Sequence, residues 1–269
     1  MKVYDVFFCI NDGYIHPLCV ALVSILENNA DMQFMFHIIS QDLSDKSKNK
    51  ISKLKTRYKN FDFEVTVPDM ARFSGLKSTI EHISVETFFR YAIADMYPNM
   101  SQALYLDADL VCNGKLNELF NVDLKGFYAA GVRDPNLDSD RYKRLLIGEP
   151  MYINTGVLFL NLDAMRRDEM GKKMIALSHE LAGRIEYQDQ DVINVAFAGK
   201  IKEIPIKYNF ARGYQFYNKS ELKYANIIHY TGHRKPWVRR RKLFDFIRKP
   251  AVNIWWKYDS INKLIQQKN

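Results

Sequence analysis

The sequence has no long apolar run, few cysteines and no glycine-rich nucleotide loop. None of its apolar stretches reaches the roughly 18 residues that a membrane-spanning helix needs. The first ten residues contain one lysine, an early aspartate and no small-residue cleavage site, so they predict a strand rather than an export signal. Cys9, Cys19 and Cys112 lack metal-ligand spacing, which is typical of reduced thiols in a cytosol. We therefore expect a cytoplasmic protein.

Two common nucleotide-binding motifs are also missing. No G-x-G-x-x-G follows the first predicted strand and no G-x-x-x-x-G-K-[ST] occurs, which argues against nicotinamide and P-loop chemistry. The composition, with 47% hydrophobic and 26% charged residues, is that of a globular protein and excludes a disordered or fibrous chain.

The positive charge is concentrated at the carboxyl terminus. Residues 234–269 carry 11 Lys or Arg against 2 Asp, whereas the other 233 residues carry 28 basic and 29 acidic groups. Aromatic residues are interleaved with these charges, including Trp237, Trp255 and Trp256. This pattern suits a helix that docks on the body with some contact to an anionic membrane, a purely structural helix, or a nucleic-acid patch. A neutral body disfavours nucleic acid, so we expect an anionic membrane surface and no nucleic acid among the partners.

Strand and helix patterns alternate over the first hundred residues. That order predicts an α/β fold with a parallel sheet and right-handed crossovers. No linker divides the body, so we expect one domain over residues 1–237 and a basic, aromatic-rich helical segment over 238–269. The predicted strands cover 3–10, 34–39, 61–67, 103–106, 127–132, 156–160 and 226–229, and the predicted helices cover 17–29, 44–58, 86–97, 163–181 and 191–197.

The strongest chemical signal is a pair of aspartates after an apolar strand. Asp107 and Asp109 follow Leu104–Leu106, at the edge of an α/β sheet where ligands bind. Side chains at i and i+2 of an extended chain lie on the same side, so both carboxylates can reach one cation. Their oxygens suit Mg²⁺ or Mn²⁺, which can bridge a diphosphate. The alternative is an ordinary junction between a strand and a loop.

A second group lies at the end of the last predicted strand. His229 could supply an imidazole nitrogen as a third ligand, and a mixed oxygen and nitrogen set favours Mn²⁺ over Mg²⁺. Gly232 would let a phosphate approach the backbone, and Lys235 would offer it a positive charge. The alternative for His229 is a hydrogen-bonded core residue.

Three further polar stretches have two interpretations each. Asp189 and Gln190 could hold sugar hydroxyls while Asp191 caps a helix, or the whole stretch 187–194 could be a helix cap. Residues 152–157 form a polar step into a strand, or a β-bulge at Gly156. Residues 11–14 follow the first strand, where a base and ribose could bind.

These blocks, taken in order, resemble the retaining glycosyltransferases of family 8, which include bacterial lipooligosaccharide galactosyltransferases and glycogenin. The resemblance covers roughly residues 1–240. It implies a GT-A fold, which is a Rossmann-like α/β sandwich with a mixed, mainly parallel sheet, and here a short helical tail would follow it. The matching stretches are Asn11–Tyr14, His82–Ser84 with Phe89–Arg90, Leu104–Asp109, Asn154–Leu158, Tyr187–Asn194, and His229–Gly232 with Lys235–Trp237.

The resemblance also implies roles for individual residues. It identifies Asp107, Asp109 and His229 as ligands of Mn²⁺ (or Mg²⁺), and it implies that the acceptor or sugar contacts are His82, Asp134 and Tyr187. Asp189 and Gln190 correspond to the catalytic positions. The implied donor-binding set is Asn11, Tyr14, Arg90, Asp107, Ala108, Asp109, Asn154, Thr155, Asp189, Gln190, His229, Gly232 and Lys235.

The implied activity is transfer of galactose or glucose from a UDP-sugar to a hydroxyl of a glycan, with retention of anomeric configuration. An amide is a poor nucleophile, so front-face attack is favoured over a covalent intermediate on Gln190 or Asp189. Relatives often have Asp where this chain has Asn11, so the resemblance implies that an amide rather than a carboxylate meets the edge of the nucleobase. The tail resembles a membrane-associating end and implies a lipid-linked core-oligosaccharide acceptor at the inner face of the cytoplasmic membrane. The alternatives are a catalytically silent sugar-nucleotide-binding module, a transferase acting on a protein, a nucleotidyltransferase without its Gly-Ser loop, and a surface binder driven by the tail.

Overall fold

The computed structural model describes residues 2–76, 85–135, 139–145, 151–211, 218–232, 234–238 and 250–267, without the side chain of Tyr142. Within these ranges the strands are β1 (Val3–Cys9), β2 (Gln33–Ile39), β3 (Phe61–Thr66), β4 (Gln102–Leu106), β5 (Leu110–Cys112), β6 (Ala129–Arg133), β7 (Ile153–Asn161), β8 (Ile201–Glu203) and β9 (Ile227–His229). The α-helices are α1 (Ile15–Asn28), α2 (Asp45–Lys53), α3 (Ile93–Met96), α4 (Ser139–Leu145), α5 (Leu162–Arg167), α6 (Met170–Glu180), α7 (Asp189–Ala196), α8 (Lys219–Leu222) and α9 (Pro250–Gln267).

Seven strands form one sheet in the order β3-β2-β1-β4-β7-β6-β8, and β5 pairs with β9 in a small second sheet. The first four strands along the chain are mutually parallel where they pair, as their alternation with helices predicts. β7 lies antiparallel between β4 and β6. The sheet is therefore mixed and mainly parallel, which confirms the predicted fold class.

The second half of β1 and most of β4 are continuous apolar runs, because both faces of the sheet are covered there. In β1, Val6 and Phe8 belong to one hydrophobic cluster and Phe7 belongs to the other. In β4, Leu104 and Tyr105 divide between the clusters in the same way. Successive side chains of a strand point to opposite faces, so a strand buried on both sides needs apolar residues throughout.

Three predicted helices differ from the structure. The helix predicted over 44–58 ends at Lys53 and continues as a 3₁₀ turn, Leu54–Thr56. The segment predicted as a helix over 86–97 starts as a 3₁₀ helix, Val85–Ala92, before α3. Residues at i and i+3 of a 3₁₀ helix eclipse one another, which brings Thr87 and Arg90 together. The helix predicted over 163–181 is divided into α5 and α6 at Glu169, whose φ of 51° leaves the helical region.

The carboxy-terminal helix α9 packs on the body rather than standing free. Trp255 and Tyr258 are fully buried, and the Tyr258 hydroxyl accepts a hydrogen bond of 2.8 Å from Asn28 at the end of α1. Lys53 of α2 donates to the backbone oxygen of Gln266 at 3.2 Å. This geometry agrees with the docked-helix interpretation of the tail. Among the described residues, no helix combines the length and the apolarity needed to cross a bilayer.

Strand direction brings distant segments to one edge. β1 and β4 are parallel, so their carboxyl ends, at Cys9 and Leu106, meet at that edge. β7 runs the other way, so its beginning lies there, and the amide of Asp107 donates to the carbonyl of Gly156 at 2.8 Å. In the small sheet, Leu110 pairs with His229. This topology gathers the polar ends of four strands.

Candidate active site

A cleft of about 210 Å³ lies at this edge of the sheet. All thirteen residues of the predicted donor-binding set line it, and Tyr187 does so as well. Asp134 lies behind this lining, where its Oδ2 accepts a hydrogen bond of 2.8 Å from Gln190. His82 lies outside the described residues. A larger cleft, of about 550 Å³, is lined by Arg72, Asp95 and Arg166 and contains none of the predicted residues.

Asp107, Asp109 and His229 converge in the cleft. One ligand atom of each lies within 4.8 Å of the other two. His229 Nε2 is 3.0 Å from Asp109 Oδ1 and 3.6 Å from Asp107 Oδ2. Two carboxylates and an imidazole nitrogen arranged in this way match the donor preference of Mn²⁺, so these residues fit the predicted ion.

The carboxylate of Asp107 is held from one side. Its Oδ1 accepts hydrogen bonds from the Tyr105 hydroxyl at 2.8 Å and from Arg90 Nη2 at 3.1 Å. Arg90 is itself fixed, because its guanidinium lies 4.1 Å from the centroid of the Tyr105 ring. Oδ2 consequently faces His229 and is available for a cation.

Asp109 is paired with Lys235, whose Nζ lies 2.5 Å from Asp109 Oδ2. Burial opposes ionisation of Asp109, but Lys235 and His229 outweigh it and hold the pKa of that carboxyl well below its usual range. Burial also lowers the pKa of Lys235, yet Asp109 more than compensates and the pKa of the ammonium is raised. The lysine therefore remains a positive charge beside the aspartate pair.

The backbone at Gly156 leaves room for His229. A Cβ added to this glycine would lie 2.1 Å from His229 Cε1 and 2.7 Å from Asp107 Oδ2. The β6–β7 register shifts between Ala130 and Val132, across from this part of β7. The polar stretch 152–157 therefore lies where the pairing of β6 with β7 is irregular.

Asp189 begins α7 with its carboxylate deep in the cleft wall. Its Oδ1 accepts a hydrogen bond of 2.6 Å from the Thr87 hydroxyl, and its Oδ2 lies 3.3 Å from Arg90 Nε. That second oxygen is buried and accepts no hydrogen bond from any described residue. Burial raises the pKa of Asp189, and Arg90 opposes the rise only in part. An acceptor in this state suits a hydroxyl group of a ligand.

Gln190 and Asn154 bond to each other across the entrance of β7. Gln190 Oε1 accepts from Asn154 Nδ2 at 3.1 Å and from the Thr155 amide at 3.2 Å. Asp191 does not cap α7, so that interpretation is wrong. Its oxygens accept instead from the amides of Glu186 and Tyr187 and from the Tyr152 hydroxyl, which fixes the turn before the helix.

The nucleotide end of the cleft adjoins the tail. Tyr14 follows Asn11 in a 3₁₀ turn, and its ring meets that of Trp237 edge-on at 6.2 Å. Trp237 lies in turn 5.5 Å from the ring of Trp255 in α9. Gly232 has a φ of +80°, a left-handed conformation that glycine adopts without strain.

The comparison with known proteins decides the family. The sequence model of "Glycosyl transferase family 8" matches residues 5–241. The chain belongs to glycosyltransferase family 8. A lipopolysaccharide 1,2-glucosyltransferase of Escherichia coli is 30% identical to it over 252 residues, which cover 88% of this chain and 74% of the relative. A lipopolysaccharide 1,3-galactosyltransferase of Salmonella typhimurium is 26% identical, covering 87% and 73%.

The family 8 chain also shares its fold with a solved relative. The crystal structure of the galactosyltransferase LgtC in complex with donor and acceptor sugar analogues matches it with a TM-score of 0.82, over 96% of this chain and 95% of the other. At 23% sequence identity this likeness shows the GT-A fold alone. The expectation of a glycosyltransferase enzyme with a GT-A fold is confirmed.

Several residues of this family 8 site were not predicted from the sequence. Tyr105 lies two positions before Asp107 on the same strand, so the i, i+2 rule could have found it. Thr87 lies three positions before Arg90, and side chains at that spacing are neighbours on a helix, so the helix predicted there could have found the pair. Asn209 bonds to His229 Nδ1 at 3.1 Å. It is a single asparagine in a loop, and nothing in the sequence marks it.

Proposed function

We propose that this chain transfers a hexose, glucose or galactose, from a UDP-sugar to a hydroxyl of a glycan acceptor, with retention of anomeric configuration. The observation that carries the proposal is the convergence of Asp107, Asp109 and His229 beside Lys235, in a cleft where parallel strands end. The relatives are named as lipopolysaccharide hexosyltransferases that transfer glucose or galactose, which supports a hexose donor.

The donor would bind along the cleft from Tyr14 to Asp189. Tyr14 would stack on the uracil and Asn11 would hydrogen-bond its edge, while Gly232 and Lys235 would contact the diphosphate. Asp107, Asp109 and His229 would hold Mn²⁺ or Mg²⁺, which when bound stabilises the negative charge that develops on the departing diphosphate.

The hydrogen bonds around the sugar end favour front-face attack. Gln190 is an amide, a poor nucleophile, and its oxygen already accepts two N–H groups. Asp189 Oδ1 accepts from Thr87, and the positive charge of Arg90 lies 3.3 Å from Oδ2, which weakens that carboxylate as a nucleophile and leaves Oδ2 to accept from a sugar hydroxyl. The bond between that carbon and the diphosphate oxygen would break with its electron pair leaving on UDP. The acceptor oxygen would form the new bond on the same face, and its proton would pass to the departing phosphate.

The acceptor would approach past Tyr187. This side chain is 40% exposed, and the Arg141 guanidinium lies 3.8 Å from the centroid of its ring. We assign Tyr187 and His82 to acceptor contacts, and Asp134 would act on the sugar end through its hydrogen bond with Gln190. We propose a lipopolysaccharide core or another cell-surface glycan as the acceptor. The basic tail would bring the enzyme to an anionic membrane where such lipid-linked glycans are assembled.

The test is UDP release from UDP-glucose and UDP-galactose with and without Mn²⁺, followed by addition of glycan acceptors. Asp107→Ala, Asp109→Ala and His229→Ala should each reduce Mn²⁺-dependent turnover by about 100-fold or more, because each removes a group that would hold the ion against the leaving diphosphate. Circular dichroism should report an intact fold.

Asp123→Ala is the matched control, since Asp123 is exposed and lies outside the cleft. It should leave turnover unchanged. Unchanged turnover in two of the three cleft variants, or full activity in the presence of a chelator, would reject the proposed function.

A further inference from the structure

A continuous chain of side-chain hydrogen bonds runs from His229 to Gln190. His229 Nδ1 is 3.1 Å from Asn209 Oδ1, and Asn209 Nδ2 donates to Asn154 Oδ1 at 2.8 Å. Asn154 Nδ2 then donates to Gln190 Oε1 at 3.1 Å. His229 and Asn209 are nearly inaccessible, at 2% and 1% exposure. Four side chains from separate parts of the sequence thus form one bonded line.

Backbone amides fix the direction of this line. The amide of Gly156 donates to Asn154 Oδ1 at 3.1 Å, and the amide of Thr155 donates to Gln190 Oε1 at 3.2 Å. A backbone N–H can only donate, so both side-chain atoms that it meets must be oxygens. The other end of the Asn154 amide is therefore its NH₂ group, as its bond to Gln190 requires.

The same reasoning fixes the histidine. Because Asn154 Oδ1 is an acceptor, Asn209 must turn its NH₂ group towards it and its oxygen towards His229. An amide oxygen accepts only, so His229 Nδ1 carries a proton. With Nδ1 holding its proton, a cation that displaces the proton of Nε2 would meet the lone pair of the nitrogen that faces Asp107 and Asp109. A histidine that ligates a metal needs this tautomer.

The backbone around Asn209 holds it against β9. The amide of the next residue, Phe210, donates to the carbonyl of Ile227 at 3.0 Å, and the amide of His229 donates to the carbonyl of Phe210 at 3.0 Å. The loop that carries Asn209 is thus bonded directly to the strand that carries His229, so the two side chains are held in register.

We propose that Asn209 is a positioning residue that fixes the tautomer of His229 for metal binding and links it, through Asn154, to Gln190 at the sugar end of the cleft. This inference rests on the proposed function, because it assigns His229 to the metal. In this role Asn209 acts on the metal ligand His229 through Oδ1 and on the sugar end of the cleft through Nδ2.

Two variants distinguish the effect of Asn209 Oδ1 from the effect of Asn209 Nδ2. Asn209→Ala removes both and should raise the Kd for Mn²⁺ roughly 10- to 100-fold, the usual effect of losing the outer partner of a metal-bound histidine. Asn209→Asp keeps an acceptor for Nδ1–H but sets an oxygen against Asn154 Oδ1. It should therefore hold Mn²⁺ at least as well as the wild type while kcat for UDP-sugar falls.

Mn²⁺ affinity is read by electron paramagnetic resonance of the free ion, without nucleotide, on proteins whose fold circular dichroism has verified. Asn113→Ala is the matched control. Asn113 lies beside β5, and its amide donates to the carbonyls of Leu222 and Ala225 at 3.3 Å each, without contacting His229. It should lower stability only and leave the Kd for Mn²⁺ unchanged.

The outcomes are distinct. If the wild type binds no Mn²⁺, or His229→Ala binds it equally well, the proposed function itself fails. If the wild type binds Mn²⁺ and Asn209→Ala binds it with the same Kd, only the role of Asn209 is overturned. Should Asn209→Ala fail to fold, Asn209→Asp decides, since a parallel change or no change in both Kd and kcat would contradict the proposal.

Discussion

At the scale of single residues, Gly156 is the position of the site with the least room for a side chain. The imidazole of His229 occupies the space that any side chain would need there. The strand cannot move away, because the Gly156 carbonyl accepts the Asp107 amide at 2.8 Å. One missing methyl group therefore lets two strand ends and a histidine approach each other.

Gly156→Ala should displace His229 from the aspartates. We expect a large loss of Mn²⁺ affinity and of turnover, with the free energy of unfolding reduced by about 1–3 kcal/mol because the added methyl group overpacks the core. Mn²⁺ titration and urea denaturation measure the two effects.

Gly183→Ala provides the comparison, since a Cβ at Gly183 would meet nothing within 4 Å. It should leave both the Mn²⁺ affinity and the stability close to wild type. Wild-type Mn²⁺ affinity in Gly156→Ala would show that His229 does not need the space beside this glycine.

The sequence predicts some residues of the site and not others, for a physical reason. Asp107 and Asp109 follow an apolar strand, and His229 ends another, so their chemistry is visible next to a regular element. Thr87 lies three positions before Arg90, a spacing that a local helical pattern also shows. Asn209 acts through contacts with residues remote in sequence, which local patterns do not contain.

At the scale of elements, the contact between α9 and α1 includes the buried carboxylate of Asp259. Asp259 Oδ1 lies 2.8 Å from His16 Nε2, and Asp259 Oδ2 lies 2.6 Å from Lys263 Nζ. His16 also stacks on Trp255 with ring centroids 5.7 Å apart. The helix is thus held by charge as well as by apolar contact.

The charge on Asp259 makes this contact sensitive to acid. Burial alone would raise its pKa, but the nearby His16 and Lys263 outweigh burial and lower it. A carboxyl with a lowered pKa in the folded state stabilises the protein above its ordinary pKa, near 3.8. That stability is lost as the pH falls through the lower folded value.

Asp259→Asn should reduce the free energy of unfolding at pH 7 by about 1–3 kcal/mol, because a buried polar group loses the charge that pairs it with His16 and Lys263. It should also flatten the decline in stability below about pH 4. Urea denaturation between pH 3 and 7 measures both effects. Asp45→Asn, at a carboxylate that is 98% exposed, should change neither by much. If the free energy of unfolding falls as steeply at acid pH in Asp259→Asn as in the wild type, Asp259 is not the source of the acid sensitivity.

The elements themselves differ in how far sequence predicts them. The second half of β1 and most of β4 are recognisable because apolar residues on both faces leave a continuous run. The break between α5 and α6 falls at Glu169, a residue with no turn preference, in a segment whose apolar pattern continues across it. The Tyr128 hydroxyl donates to Asp168 at 2.6 Å beside this break, a contact that a local pattern does not show.

At the scale of the whole molecule, the net charge of +8 and the docking of α9 have to be considered together. Removing residues 238–269 looks like a direct test of a membrane-binding tail. It would also uncover the surface against which Trp255 and Tyr258 are buried. Substitutions on the outer face of α9 avoid that problem, and Lys257 and Leu264 are both exposed there.

The double variant Lys257→Glu with Leu264→Ser should bind anionic phosphatidylglycerol vesicles several-fold more weakly than the wild type. A lysine near such a surface contributes about 1 kcal/mol, and reversing its charge adds repulsion. Cosedimentation at two salt concentrations measures the binding, and the hydrolysis of UDP-sugar should not change. Equal binding to neutral phosphatidylcholine vesicles would contradict an electrostatic contact.

The two-stranded sheet of β5 and β9 has a consequence for how such an enzyme can diverge. The pairing of Leu110 with His229 joins the two ends of the long chain segment between them. Lengthening an outer turn of that segment, for example around α4, adds little closure entropy. Insertions there would change the chain around α4 and leave the paired strands, with the Asp107, Asp109 and His229 cluster beside them, in place.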